Sequence, residues 1–212
     1  MAIKVHGDMV DECRRECPDA HRATCPVLGI YSNTCSIRAG HNYNVTRKLT
    51  MTTTIHQGYI PGCIGRIAEL HALYYHQLTG FGVMFEAKVA RELAQFCEGF
   101  NPKRDGLWLL LQDGRIEGSI AIDGHGAGSS GAHLRWFITS DKVRGGGNGA
   151  SLLTQAIEFC DARGYGKIHL ATFAGLHAAR HLYEKFGFVL AEEQRGKQWG
   201  TEVSEQRFVR GA

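Results

Sequence analysis

Residues 138–153, with the sequence ITSDKVRGGGNGASLL, constrain the fold more than any other part of this chain. A strand pattern ends there, a basic residue follows at Arg144, and a run of glycines leads into a helical pattern. Glycines let the main chain pass close to a bound group, and the free amides at a helix N-terminus point at anions. The segment therefore predicts a strand–turn–helix unit that can cradle an anion.

Two other glycine-rich motifs are excluded at this place. A Walker A loop ends in Gly-Lys-Ser/Thr, whereas Gly149 is followed by Ala150 and Ser151. Gly145, Gly147 and Ala150 match the dinucleotide-binding fingerprint only in part, and the helix-rich N-terminal half and the Asp113-Gly114 hairpin do not suit that fold. An ordinary turn without a ligand stays open as the alternative, because glycine clusters before helices are common.

The hydrophobic pattern changes period along the chain and predicts a mixed order of elements. Asp113-Gly114 is a hairpin signal between two apolar strands. The sequence predicts helices over 64–78, 84–98, 151–163 and 176–186, and strands over 55–60, 107–112, 115–123, 132–138, 167–172, 188–193 and 205–210. This order is typical of an α/β (α+β) fold with a mixed, largely antiparallel central sheet, flanking helices and one right-handed crossover.

Composition excludes several classes of protein. The chain has 212 residues, of which 43% are hydrophobic and 21% charged, which is close to the globular average. A formal net charge of +3 is too small for a dedicated nucleic-acid binder. No apolar run is long enough to cross a membrane, and the first residues lack a secretory signal, so we expect a cytoplasmic protein.

Residues 1–50 differ from residues 51–212 and show no sustained period. Four of the seven cysteines lie there, but only three of the 27 glycines. The cysteines lack the paired close spacing of zinc modules, so we predict no metal site and expect a disordered tail or a non-native extension. The alternative zinc ligands would be Cys13, Cys17, Cys25, Cys35, His21 and His41. We also hypothesise that Met51 is the native start, which N-terminal peptide mass spectrometry would test.

A second motif, AARHLYEKFGF at residues 178–188, follows the glycine turn. In order and separation, the two motifs make the chain resemble the GNAT-type N-acetyltransferase superfamily over about residues 52–210. Leu70-His71, Tyr74-Tyr75 and the LRWF sequence at 134–137 are similar to the acetyltransferase half of bacterial winged-helix regulator fusions. The resemblance identifies 51–212 as an N-acetyltransferase domain with splayed strands at 132–138 and 167–172.

The resemblance implies acetyl-CoA as cosubstrate, with no metal. Its pyrophosphate would lie on the glycine turn, and its pantetheine arm would pair with the strand before the turn. The implied cofactor-binding residues are Phe137, Ile138, Thr139, Arg144, Gly145, Gly146, Gly147, Asn148, Gly149, Ala150 and Ala179. Leu176 occupies a position where members often carry asparagine.

The resemblance also makes Tyr183 the expected general acid, because a phenol can protonate a leaving thiolate at neutral pH. Packing in the core is the alternative role of this tyrosine. A base or water relay must remove the proton of the amine, and the candidates are Asp123, His133 and Glu117. Glu117 and Asp123 share a strand face if no bulge intervenes. Buried Cys160 is expected to be structural, so no acyl-cysteine intermediate is predicted.

The expected activity is direct transfer of an acetyl group to a primary amine, which is either a small molecule or a peptide. We predict that His71, Tyr75, Phe81 and Phe85 line the acceptor pocket and that loop 124–131 forms its rim. No nucleic-acid or membrane partner is expected, and a homodimer stays open. A non-catalytic acyl-CoA-binding regulatory module is the alternative function. A zinc or nucleic-acid adaptor built on residues 1–50 is disfavoured by charge.

Overall fold

The computed structural model describes residues 52–211, and the predictions for residues 1–50 and Met51 lie outside them. The helices are α1 (Cys63–Thr79), α2 (Val83–Glu98), α3 (Asn148–Ala162) and α4 (His177–Lys185). The strands are β1 (Thr53–Gln57), β2 (Gly106–Gln112), β3 (Arg115–Asp123), β4 (Ala132–Thr139), β5 (Ile168–Phe173), β6 (Val189–Gly196) and β7 (Val203–Arg210). Every predicted element is present, with boundaries shifted by a few residues.

The strands form one seven-stranded sheet in the order β1-β2-β3-β4-β5-β7-β6. All neighbours are antiparallel except β4 and β5, which run parallel through the α3 crossover. Helix α3 packs against β2, β3 and β4 on one face, and α1 packs on β3 and β4 from the other. The predicted mixed, largely antiparallel α/β fold is confirmed.

The two N-terminal helices form because their apolar residues recur at helical spacing. In α2 the buried residues are Phe85, Val89, Leu93 and Phe96, which lie on one stripe. Helix α1 ends at Gly80, where a left-handed φ of 72° lets the amide donate to the carbonyl of His76. Both helices join one apolar cluster with the adjacent face of the sheet.

Strands β4 and β5 are paired over two residues only. Ala132 lies opposite Ile168 and His133 opposite His169, and beyond these pairs the strands separate. Residues 134–139 of β4 therefore have no strand partner on the β5 side, although β3 pairs with β4 on its other side. Their main-chain groups on this edge are available to an extended ligand.

A β-bulge in β4 redirects its side chains. Ser119 pairs with Ile138 and Ala121 with Arg135, so one residue of β3 faces two residues of β4. Trp136 adopts a positive φ of 46° at the bulge. As a result Trp136 packs with the cluster of α1 and α2, while Phe137 packs with the cluster of α3.

A second bulge lies in β3 at Glu117. Gly118 pairs with Leu110 and Ile116 with Leu111, which leaves Glu117 as the additional residue. The bulge lies at Glu117 itself, and Glu117 and Asp123 both lie on the α1–α2 side of the sheet. Glu117 pairs with Arg66 of α1, and Asp123 lies beside Arg135, which pairs with Glu92 of α2.

In the described part of the chain, every helix falls short of the length and apolar character needed to cross a bilayer.

The paired end of β4 and β5 depends on Gly131. Its φ is +98°, and an added Cβ would lie 2.9 Å from the carbonyl oxygen of Lys167, which accepts the amide of Ala132. We expect Gly131→Ala to lower the free energy of unfolding by about 2 kcal/mol because of backbone strain and this clash. Urea denaturation measures the change. Gly128→Ala is the matched control, since its Cβ would meet open space; equal losses in both variants would contradict the prediction.

Candidate functional site

A cleft of about 530 Å³ opens where β4 and β5 separate. Its walls come from one face each of α1 and α2, from residues 133–137 of β4 and from residues 170–173 of β5. Tyr183 of α4 lies at one side, and Gln198 and Trp199 from the β6–β7 connection close another. The cleft thus combines the free edge of β4 with a largely aromatic surface.

The glycine turn leads from the end of β4 into α3. Gly145 and Gly147 both have a φ of 79°, and Gly147 is the residue that caps the helix. Among the described residues, no main-chain or side-chain acceptor receives the amides of residues 144–150. The side chain of Asn148 donates to the carbonyl of Val143 at 2.9 Å and braces the turn. These free amides, together with the helix dipole, suit an anionic group.

The side chain of Arg144 is occupied by protein partners. Its guanidinium donates to the carbonyl oxygen of Thr139 at 2.8 Å and also bonds Asp141. It lies 4.3 Å from the ring centroid of Tyr74 in α1. Arg144 therefore links the turn to α1. Its guanidinium is engaged by protein groups, whereas its main-chain amide is free of partners within the described residues.

The other residues predicted to bind the cofactor gather around the same edge. Phe137 lines the cleft, while Ile138 and Thr139 pair with β3 and present their free side to β5. A Cβ on Gly149 would meet Phe137 and Leu182 at 3.5 Å, so the turn lies close against β4 and α4. Ala179 is partly buried against both apolar clusters. The turn itself contributes Gly145, Gly146, Gly147, Asn148, Gly149 and Ala150.

Tyr183 is buried, and its ring packs on Phe137, Phe188 and Phe208 at centroid distances of about 6 Å. The side chain of Tyr183 lines the cleft. Burial raises the pKa of Tyr183 well above its ordinary value. The phenol is therefore protonated at physiological pH and available as a proton donor.

His133 is the member of the three predicted bases that lines the cleft. Its ring stacks on His169 at a centroid distance of 4.5 Å. Burial, followed by the charge of Arg135, lowers the pKa of His133 to about 3. The imidazole is consequently neutral at pH 7, with a lone pair able to accept a proton but with low basicity.

Asp123 and Glu117 lie elsewhere. Asp123 pairs with His133 in the sheet and accepts the amide of His125, but it does not line the cleft. Glu117 is buried at the β3 bulge, 3.0 Å from Arg66 of α1. Burial alone would raise the pKa of Glu117, but the nearby cations of Arg66, Lys142 and Arg115 help to lower it below its ordinary value. The structure therefore places Glu117 outside the cleft as a paired structural carboxylate.

Three of the four predicted acceptor-pocket residues, His71, Tyr75 and Phe85, line the cleft. Phe81 lies behind them, packed on Phe85 and Tyr75. Burial lowers the pKa of His71 to about 4, so this ring is neutral as well. No residue of loop 124–131 lines the cleft, because this loop precedes the paired end of β4.

Sequence reasoning missed several residues of the cleft. Lys88, Glu92 and Gln95 extend the α2 stripe that begins at Phe85, and Arg135 enters from β4. Residues 85, 88, 89 and 92 recur at helical spacing, so the sequence indicated that they share one face of α2. Nothing local indicated Gln198 or Trp199, which reach the cleft only through the β6–β7 connection.

Two further predicted positions are buried. Leu176 precedes α4 and packs with the cluster of α1 and α2, so it offers no polar contact in place of asparagine. Cys160 lies on the buried face of α3, and burial raises the pKa of its thiol to about 12. A protonated, enclosed thiol fits a structural role.

Comparisons with known proteins agree with this geometry. Residues 68–188 match the acetyltransferase (GNAT) family. An acetyltransferase from Streptococcus agalactiae has a TM-score of 0.59 at 18% identity, over 76% of this chain and 98% of its own. The Salmonella typhimurium acetyltransferase YncA, in a structure with its cofactor acetyl-CoA, has a TM-score of 0.60 at 14% sequence identity. The match covers 76% of this chain and 94% of YncA. A protein described as a phosphinothricin N-acetyltransferase has a TM-score of 0.57 at 17% sequence identity, over 76% of this chain and 98% of its own. No curated protein matches the sequence.

The buried pair of Arg66 and Glu117 gives a stability prediction. Arg66→Met leaves Glu117 with Arg115 and Lys142, each 3.6 Å away. Breaking a buried pair costs about 3–5 kcal/mol, and with two cations remaining we expect a loss of about 2 kcal/mol at pH 7. Urea denaturation measures it, with Arg91→Met on the exposed side of α2 as control.

The loss should depend on pH with a defined sign. Because the folded pKa of Glu117 is lowered, its contribution is present above the ordinary glutamate pKa and disappears as the pH falls through the folded value. The difference between parent and Arg66→Met should therefore shrink as the solution is acidified. A difference that grows on acidification would contradict this assignment.

Proposed function

The chain belongs to the GNAT acetyltransferase family, and we propose on that premise that it transfers an acetyl group from acetyl-CoA to a primary amine by direct attack. The observation that carries the proposal is the continuity of three features along one edge. Free amides at residues 144–150 lead to the unpaired edge of β4, and that edge leads to Tyr183.

The residues present fit acetyl-CoA as cosubstrate. The amides of the glycine turn would hold the pyrophosphate, since they point outward at a helix N-terminus. The free edge of residues 134–139 would bind the amide groups of the pantetheine arm in the manner of an added strand. Acetyl-CoA supplies an activated thioester carbonyl at the end of that arm.

The reaction then needs one bond formed and one broken. The amine nitrogen attacks the thioester carbon, and the tetrahedral oxyanion is stabilised by main-chain donors of the β4 edge. When the carbon–sulfur bond breaks, Tyr183 donates its proton to the departing thiolate. The proton lost by the amine passes to His133 or to water, and solvent returns a proton to the tyrosinate.

A non-catalytic acyl-CoA-binding module is the second candidate. The low basicity of His133 favours it, because a weak base removes the proton of the amine poorly. The retained phenol of Tyr183 favours the enzyme. An assay of acetyl-CoA consumption against a panel of amines decides between them, and acetyl-CoA binding without acetylation of any amine would support the module.

We further propose that the acceptor is a small molecule or a peptide, and that the protein is bacterial, cytoplasmic and able to form a homodimer. We also propose that it is related to the catalytic half of winged-helix fusions.

Tyr183→Phe removes the proposed acid with little change in packing. We expect kcat to fall by about 10²–10³-fold, while the Kd of acetyl-CoA changes by less than about threefold. Steady-state kinetics and calorimetric titration measure the two quantities. Tyr59→Phe is the matched control, because Tyr59 is exposed and lies outside the cleft. Full activity of Tyr183→Phe would remove this residue from the mechanism.

The pH profile tests the state of His133. Since burial lowers its pKa to about 3, the imidazole is neutral throughout the assay range. We expect kcat/KM to rise only as the amine loses its proton, without an inflection near the ordinary histidine pKa of about 6.5. His133→Gln should lower kcat/KM by about 10²-fold, at the low end for a general base. An inflection near 6.5 that the variant abolishes would show a normal histidine pKa instead.

A further inference from the structure

The charged side chains of the cleft lie together on one wall. They are Lys88 and Glu92 of α2 and Arg135 of β4. The histidines that also line the cleft, His71 and His133, are both neutral at pH 7 because burial lowers the pKa of each. The cleft therefore presents two cationic groups and one carboxylate to a bound acceptor.

These groups form a chain of ion pairs. Glu92 Oε1 lies 2.5 Å from Lys88 Nζ, and Glu92 Oε2 contacts the Arg135 guanidinium. Arg135 lies 4.1 Å over the Trp136 ring and 3.7 Å from the carboxylate of Asp123. Asp123 shares the charge of Arg135, whereas Lys88 has Glu92 as its single ion-pair partner within residues 52–211. Lys88 thus retains unused donors toward the cleft.

An aromatic surface lies beside these charged groups in the same cleft. Tyr75 packs edge-on against Phe85 and Phe173, with centroid distances of 5.2 and 5.5 Å, and Phe173 meets Trp199 at 5.4 Å. This surface offers no charge. An acceptor that fills the cleft would place a polar group at Lys88 and Arg135 and an apolar group against the aromatic surface.

We propose that the acceptor is an amine that also carries a carboxylate, held by Lys88 and Arg135, with an apolar substituent against the aromatic surface. This inference rests on the proposed acetyl transfer. A carboxylate between a lysine and an arginine forms charge-assisted hydrogen bonds, which are the strongest available there.

Direct capture of the ammonium by Glu92 is the competing arrangement. Both carboxylate oxygens of Glu92 already face cations, so an ammonium would have to displace Lys88 or Arg135 or share their acceptor. The geometry therefore favours recognition of an anion by the two cations over recognition of a cation by Glu92.

The test uses ligand binding, which does not require turnover. N-acetylphenylalanine and N-(2-phenylethyl)acetamide are titrated calorimetrically into the protein saturated with CoA, since they differ by one carboxylate. We expect the carboxylate ligand to bind at least about 10-fold more tightly. Lys88→Met removes one of the two cations and should reduce that ratio to about threefold or less. Arg91→Met removes a positive charge from the exposed side of the same helix and should leave the ratio unchanged.

Equal binding of the two ligands, tighter binding of the uncharged one, or binding of neither would overturn the inference. So would an equal loss in Arg91→Met, because it would indicate a general charge effect. The amine-panel assay keeps the proposed function separate. Acetylation of amines regardless of a carboxylate would leave acetyl transfer intact and refute only the acceptor class.

Discussion

The site depends on the early end of the pairing between β4 and β5. Two residue pairs hold these parallel strands together, and the sheet then opens, although β3 and β7 continue to support them from either side. An open edge within a sheet leaves main-chain donors and acceptors unsatisfied, which is costly unless water or a ligand meets them. The gap thus creates the cleft and leaves a main-chain edge open to water or to an extended ligand.

The bulge at Trp136 adapts β4 to this gap. A regular strand would place Trp136 on the α3 face with Ala132 and Leu134, whereas the bulge moves it to the opposite cluster. Ser119 donates to the carbonyl of Trp136 at 2.7 Å and supports the distorted backbone. Phe137 is then directed toward Tyr183, so the backbone irregularity sets the distance between the free edge and the proposed acid.

Helix α1 connects the glycine turn to the cleft. Arg66 neutralises Glu117 at the β3 bulge, and Tyr74 packs on Arg144 of the turn. The adjacent residue, Tyr75, lines the cleft. Two consecutive tyrosines of α1 therefore contact the glycine turn and the cleft. The Arg144 guanidinium takes part in this connection and is not free.

The sequence by itself determined the elements and the glycine turn, because helical spacing, hairpin residues and glycine conformations act over a few neighbouring residues. The paired motifs also predicted Tyr183 and the residues of the turn as site residues, and the structure places both beside the free edge of β4. It offered Glu117 as a candidate base, whereas this carboxylate pairs with Arg66 of α1 outside the cleft. A contact between segments about fifty residues apart leaves no local signal in the sequence. Only the tertiary structure brought Lys88, Glu92, Arg135 and Trp199 into one cleft. Their contacts join helix, strand and distant connection, and such contacts are set by packing across the sheet rather than by neighbouring residues.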